Sequence, residues 1–399
     1  MSTGVTYPRG FRAAGIAAGL KPSGRPDLAL LIGEPGTTTA GLFTTNAMAA
    51  APVVLGRERL ERGRGRAVLV NSGQANAGTG ARGIEDAAVT SGAAAELLRL
   101  DPLDVLPCST GVIGEPLHVT PIVEALPRLI GALGGDGGEA FERAILTTDT
   151  VPKSATATAA GIRVGGAAKG VGMISPNLAT MLTFVTTDAR LDVEAARTLA
   201  RSELAPRFND LSVDGCTSTN DTVLLFASGA AGEDAVRPGT AAWSQLAGAL
   251  GEVADALVAQ LIRDAEGGTH VMIVQIDGAA DDVAARVLAR AVVDSPLVKT
   301  AAFGGDPNPG RVLQAVGAAG PALDPACVDV WIGEAKLVDG GTIPPTYFAG
   351  DGLEATARAA MAADEFTIRV RVGDGPGTSR TFGCDLSYEY VRINGEYTT

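Results

Sequence analysis

The chain has few of the residues that carry most enzyme chemistry. It has two histidines, His118 and His270, and four cysteines, Cys108, Cys216, Cys327 and Cys384, with no C-x-x-C pair. There is no H-E-x-x-H either, so no metal site is expected. Isolated cysteines in a chain of 399 residues read as reduced, mostly buried thiols of a cytoplasmic protein. Basic residues are outnumbered 32 to 45, for a net charge of −13, so a nucleic-acid partner, which needs a basic face, is not expected. No uninterrupted apolar run approaches the ~18 residues of a membrane span. The N-terminus has no apolar signal region. Walker A, a strand-borne G-x-G-x-x-G and a G-x-S-x-G elbow are all missing. A Ser-His-Asp triad would have to recruit His118 or His270, and neither lies in such a context. Acyl transfer here would need a base other than histidine.

Apolar residues make up 46%, enough for a sizeable core, and the length fits two or three domains. The pattern mixes strand and helix. Asp27–Ile32, Arg66–Asn71 and Val271–Ile276 read as strands. Phe366, Ile368, Val370 and Val372 alternate with polar residues, as in a half-buried strand. Helices are expected over Ile84–Leu100, from a Thr120 cap and Pro121 towards Leu133, and over Asp192–Leu204, Thr240–Arg263 and Asp281–Val293. Tyr388–Ile393 reads as a last strand. Composition alone places no domain boundary, and there is no internal repeat.

The most unusual stretch is Lys169–Leu182, KGVGMISPNLATML. A lone lysine among small residues leads through a Ser-Pro-Asn turn into an apolar run, Leu178–Val185, that reads as a buried strand. Thr180 stands at its start. The plain reading is a β-branched residue suited to a strand. A chemical reading exists too. If the Ala179–Thr180 bond were cut, Thr180 would carry a hydroxyl beside a free α-amine. The reference pKa of such an amine is about 7.7–8.0, so it can take the hydroxyl proton without histidine.

These residues resemble the self-processing segment of the ornithine acetyltransferase (glutamate N-acetyltransferase) family of arginine biosynthesis. Further blocks resemble it in order: Gly41–Asn46 with Ala51-Pro52-Val53, Asn71–Asn76, Cys108–Gly114, Thr147–Lys153, Val213–Thr222, Ser295–Ala301 and Asn394–Thr399. The resemblance implies a layered α/β (α+β) sandwich, a self-processing acyltransferase fold in which both processed chains, 1–179 and 180–399, build one site. It implies a cut between Ala179 and Thr180. Thr180 then takes the acetyl group of N2-acetylornithine as an ester and glutamate accepts it, in a ping-pong cycle with no cofactor and no metal. The resemblance also implies a cytoplasmic heterotetramer, two of each processed chain.

By the same resemblance Thr180 is the nucleophile, Thr110 and Gly111 form the oxyanion hole, and Thr147, Lys169, Glu266, Asn394 and Thr399 contact substrate. The chain departs from the family pattern at His270, where Lys is usual, and at Pro309, where Trp is usual. Three other readings stand beside this one. The enzyme could also draw acetyl groups from acetyl-CoA or serve a specialised-metabolite pathway. It could be a self-processed aminopeptidase or amidohydrolase. It could be an inert scaffold, which would stay uncut.

Overall fold

The computed structural model describes residues 4–62, 65–175, 181–350 and 352–396. These divide into two compact units, one of residues 4–209 and 216–261, the other of 210–215 and 262 onwards.

In the first unit the described strands form two sheets. One, in the order β1-β2-β4-β5, comprises β1 (Phe11–Ile16), β2 (Leu28–Gly33), β4 (Ala67–Gln74) and β5 (Val105–Val112). The other, in the order β3-β9-β8-β7-β6, comprises β3 (Thr38–Phe43), β6 (Lys153–Ala159), β7 (Ile162–Lys169), β8 (Leu182–Thr187) and β9 (Thr222–Ala227). Inward residues of the first sheet (Ala29, Leu31, Val68, Val70, Leu106) meet those of the second (Ala167, Leu182, Phe184, Leu224, Phe226) in one core. The opposite face of the first sheet (Leu28, Leu30, Leu69, Val105) packs on helices α2 (Gly80–Leu98) and α3 (Val119–Gly131). Both faces are thus covered, which is why β2 reads LALLIG without alternation.

The outer face of the second sheet carries helix α7 (Ala241–Arg263), the seventh after α1 (Ala51–Glu61), α2, α3, α4 (Gly138–Ala144), α5 (Val193–Leu199) and α6 (Ala205–Asn209). A Cβ on Gly166 would lie 2.9 Å from Leu257 and 3.0 Å from Val253, so a glycine in β7 lets α7 come this close. This layering is the α/β sandwich expected.

In the second unit the described strands are β10 (Val271–Ala279), β11 (Asp329–Ile332), β12 (Ala335–Val338), β13 (Glu365–Arg371) and β14 (Gly377–Cys384), ordered β12-β11-β13-β10-β14. Helix α8 (Asp282–Val293), capped by the Asp281 side chain, buries Leu288 and Val292 against this sheet. Helices α9 (Pro296–Phe303), α10 (Pro309–Ala318), α11 (Leu353–Met361) and α12 (Tyr388–Glu396) follow.

Several expectations need correction. Tyr388–Ile393 is not a strand but the body of α12. Tyr-Glu-Tyr-Val-Arg-Ile imitates a period of two. However, the Ser387 hydroxyl accepts from the backbone N–H of Glu389 (3.1 Å), and Arg392 pairs with Glu389 and Glu396 at helical spacing. Helix α3 starts at Val119, with His118 rather than Thr120 at the cap position. Pro121 falls in the first turn, where a missing N–H costs nothing. The helix expected over Asp192–Leu204 is α5 followed by a π turn, Ala200–Leu204, which leads into α6. Pro206 cannot donate to the preceding turn, and the π turn precedes it.

Two of the four thiols, Cys216 and Cys327, are exposed rather than buried. Helix α7 is long enough, and on average apolar enough, to cross a bilayer, although it holds no uninterrupted apolar run of that length. Its Leu246, Leu250, Val253, Leu257 and Leu261 are instead fully buried in the protein. The apolar run Leu178–Val185 is observed as β8 from Leu182 on; Leu178, Ala179 and Thr180 lie outside the described residues.

Candidate active site

The lysine of the unusual stretch, Lys169, is the last residue of β7, and its side chain is buried (4% exposed). Its ammonium donates to Thr147 Oγ1 at 2.7 Å and Thr110 Oγ1 at 3.2 Å and lies 3.8 Å from Asp149 Oδ2. Three of the expected residues thus meet at one cation, brought from β5, from the loop between α4 and β6, and from β7.

Asp149 holds the arrangement. Its Oδ1 accepts from Lys153 Nζ (2.7 Å) and the Gly170 N–H (2.7 Å), and its Oδ2 from the Thr147 N–H (3.1 Å). Burial by itself raises its pKa, but Lys169, Lys153 and the Gly170 amide outweigh burial and hold it at about 2. One carboxylate therefore stands among two buried ammoniums. Lys21 adds a third cation nearby. Its Nζ donates to the carbonyls of Pro26 and Leu146 (2.8 and 2.7 Å), and burial with the repulsion of Lys169 lowers it to about 8 despite the pull of Asp27. The local balance is positive, which suits a ligand carboxylate.

Ser-Thr-Gly at 109–111 is extended strand rather than a turn. Gly111 has φ +132°, and a Cβ there would sit 2.1 Å from the Gly73 carbonyl oxygen across the parallel β4–β5 ladder. Only glycine fits. The strand end is pinned by amides: Ser109 Oγ donates to Asn71 Oδ1 (2.6 Å), and Asn220 Nδ2 donates to the carbonyls of Ala75 (2.6 Å) and Ser109 (2.9 Å).

In the second unit, Glu266 lies in the turn after α7 and receives Asn394 Nδ2 of α12 at 3.2 Å. These two expected contacts therefore adjoin one another. Thr399, like Ala179 and Thr180, lies outside the described residues. His118 pairs with Glu115 (3.1 Å) on the surface, and His270 Nδ1 lies 3.2 Å from Asp385. Pro309 is buried as the first residue of α10.

The ArgJ family model matches residues 12–399. The chain belongs to the ArgJ family. It is 46% identical, over its whole length and 96% of the relative's, to the arginine biosynthesis bifunctional protein ArgJ of Parasynechococcus marenigrum. It is 44% identical to the protein of the same name from Symbiobacterium thermophilum, over all of this chain and 99% of that one. The solved ArgJ of Bacillus halodurans is 37% identical, with a TM-score of 0.50 over 54% of this chain and 98% of its own.

Residues to which the sequence reading gave no role also take part in these contacts: Asp149, Lys153, Asn71, Ser109 and Asn220. All stand inside the motif blocks named above, so the signal was present as position but not as role. Lys21 stands in none of them.

If Gly111 lines the oxyanion hole, as the resemblance implies, Gly111→Ala, which keeps the N–H but must shift it, is expected to lower the acetyl-transfer rate about 10²-fold. It should also lower Tm, because a Cβ must displace the Gly73 carbonyl. Steady-state rates and a thermal melt on the same preparation check both.

Proposed function

We propose that this chain is an acetyltransferase of arginine biosynthesis that moves acetyl from N2-acetyl-L-ornithine to L-glutamate. Thr180 would be freed by self-cleavage after Ala179 and acetylated in turn. The observation that carries this reading is Lys169, buried and bound to both Thr110 and Thr147, eleven positions before Thr180. An ammonium fixed by two hydroxyls and a carboxylate is ready to hold the α-carboxylate that ornithine and glutamate share. Thr110 and Gly111 would then stabilise the oxyanion of each tetrahedral step. The newly freed amine of Thr180 acts as the base, a role for which both histidines are engaged elsewhere.

Self-cleavage has a second support. The Bacillus halodurans polypeptide aligns over 98% of itself but only 54% of this chain, the length expected of the 180–399 piece. The reading makes the two processed chains partners, two of each in a cytoplasmic assembly.

Assaying purified protein with acetylornithine and glutamate, with intact mass of the Thr180-bearing chain, tests the proposal. Before glutamate is added the chain should gain one acetyl group and release one equivalent of ornithine; ornithine release beyond that equivalent should require glutamate. Equal ornithine release with and without glutamate would mark a hydrolase and overturn the transferase reading. A second activity, acetyl-CoA-dependent acetylation of glutamate, is favoured by the bifunctional naming of the relatives. An arm with acetyl-CoA in place of acetylornithine measures it.

A further inference from the structure

We propose that Lys21 is a positioning residue of the acetyl-transfer site, holding the peptide unit between Leu146 and Thr147 in the plane that brings the Thr147 hydroxyl to Lys169. The inference rests on the function proposed above. Lys21 lies in the loop between β1 and β2, residues 17–27. That loop has prolines at 22 and 26, which have no N–H to donate. It closes on a side chain instead. Asp27, fully buried, accepts the Ala18 N–H through Oδ1 (2.6 Å) and the N–H groups of Leu20 and Lys21 through Oδ2 (2.6 and 3.1 Å). The loop also rests on the end of β4. Gln74 Nε2 donates to the Leu20 carbonyl at 3.2 Å, and a Cβ on Gly73 would lie 3.2 Å from the same oxygen. Gly73 is the partner of Gly111 across the β4–β5 ladder, so the loop sits beside that strand end.

From this base the Lys21 side chain reaches the loop between α4 and β6. Its ammonium donates to the Pro26 carbonyl at 2.8 Å and to the Leu146 carbonyl at 2.7 Å. The Leu146 C=O and the Thr147 N–H belong to one peptide unit, and in a trans peptide they point opposite ways. That N–H goes to Asp149 Oδ2 at 3.1 Å. The unit therefore lies between an ammonium at its carbonyl end and a carboxylate at its amide end. Both partners favour one orientation, the one in which Thr147 Oγ1 accepts from Lys169 Nζ at 2.7 Å.

The hold depends on charge. Asp27, Asp149, Lys169 and Arg25 are the charged groups that face Lys21. Asp27 is occupied by three backbone amides, and Asp149 by Lys153 and the amides of Thr147 and Gly170. Burial above all brings Lys21 down to about 8, with Lys169 and Arg25 acting the same way and Asp27 and Asp149 opposing. The group is thus a cation below that pH and a neutral amine above it. An amine still donates to the Leu146 carbonyl, but more weakly, because a charged donor makes a bond roughly twice as strong. The grip on Thr147 therefore slackens as pH rises through the Lys21 titration. Lys21 acts through Thr147 and not on the acyl group.

The test is steady-state kinetics of wild type, Lys21→Met and Lys21→Arg between about pH 7 and 9, with acetylornithine and glutamate varied in turn. Acetylornithine has no free α-amine, and an alkyl ammonium such as its side chain, with a reference pKa of about 10.4, stays largely charged over this range. Any titration of Thr180 is common to the three proteins and cancels in the comparison. At pH 7, Lys21→Met is expected to lose about 10-fold or more in kcat/KM for both substrates, mainly through KM, as when a charge-assisted hydrogen bond is lost. Wild-type KM for acetylornithine should rise about threefold from pH 7 to 9, as the charged donor becomes a neutral one. Lys21→Arg keeps its charge throughout and can fork to two carbonyls, so it should recover most of the activity and show no such rise. Lys21→Met within threefold of wild-type kcat/KM, or a loss in kcat with KM unchanged, would overturn the inference. If Lys21→Met does not fold, Lys21→Arg decides: the same pH dependence of KM as wild type overturns it. Absence of acetyl transfer by wild type itself would instead remove the functional reading.

Discussion

Thr180→Ala should remain a single 399-residue species and show no acetyl transfer above background. Removing a covalent nucleophile typically costs about 10⁴-fold or more, because no other group can form the acyl intermediate. Here the loss is double. Without the hydroxyl the chain is not cut, and without the cut no α-amine exists to act as base. Thr180→Ser restores the hydroxyl but not the β-branch that restricts its rotamer, so both processing and turnover should return, more slowly. Denaturing mass spectrometry and a coupled ornithine assay on the same samples check the pair of outcomes. Turnover by an uncut Thr180→Ala chain would sink the mechanism.

Lys169→Met should have the next largest effect. The side chain fills a similar space but removes the ammonium shared by Thr110, Thr147 and Asp149. Losing a charge-assisted contact costs about 1.5–3 kcal/mol, which converts to roughly a 10- to 150-fold fall in kcat/KM. The fall should appear mainly in KM, for acetylornithine and glutamate alike, because both present an α-carboxylate. Asp149 would keep Lys153 and the Gly170 amide, so the fold should survive. Arginine should not rescue, since a planar fork does not reproduce a point charge held between two hydroxyls. A mutant with unchanged KM for both substrates would show that Lys169 binds something else.

The layered α/β architecture was legible because buried strands such as LALLIG and long Ala/Leu helices have distinct periods and lengths. Tyr388–Ile393 misled because side-chain alternation was visible, whereas the Ser387 cap and the Glu389–Arg392–Glu396 pairing act through a helix not yet assumed. The site was legible as motifs but not as geometry. Lys169 and Thr110 lie 59 positions apart, and nothing local says that β5 and β7, in different sheets, bring them to hydrogen-bond distance. Asp149 was hidden for a related reason. In Thr147–Lys153 it looks like a turn residue, and only the convergence of Lys153, Lys169 and Gly170 gives it a role.

The order β3-β9-β8-β7-β6 bears on what a cut after residue 179 would do. Strands β8 and β9 come from the downstream piece, yet they lie between β3 and β7, which belong to the upstream piece. Neither fragment can then depart without unzipping two ladders of backbone hydrogen bonds and baring the apolar core beneath. Severed material should therefore co-migrate as one particle on a sizing column, and the break should become visible only when detergent or chaotrope dismantles the sheet.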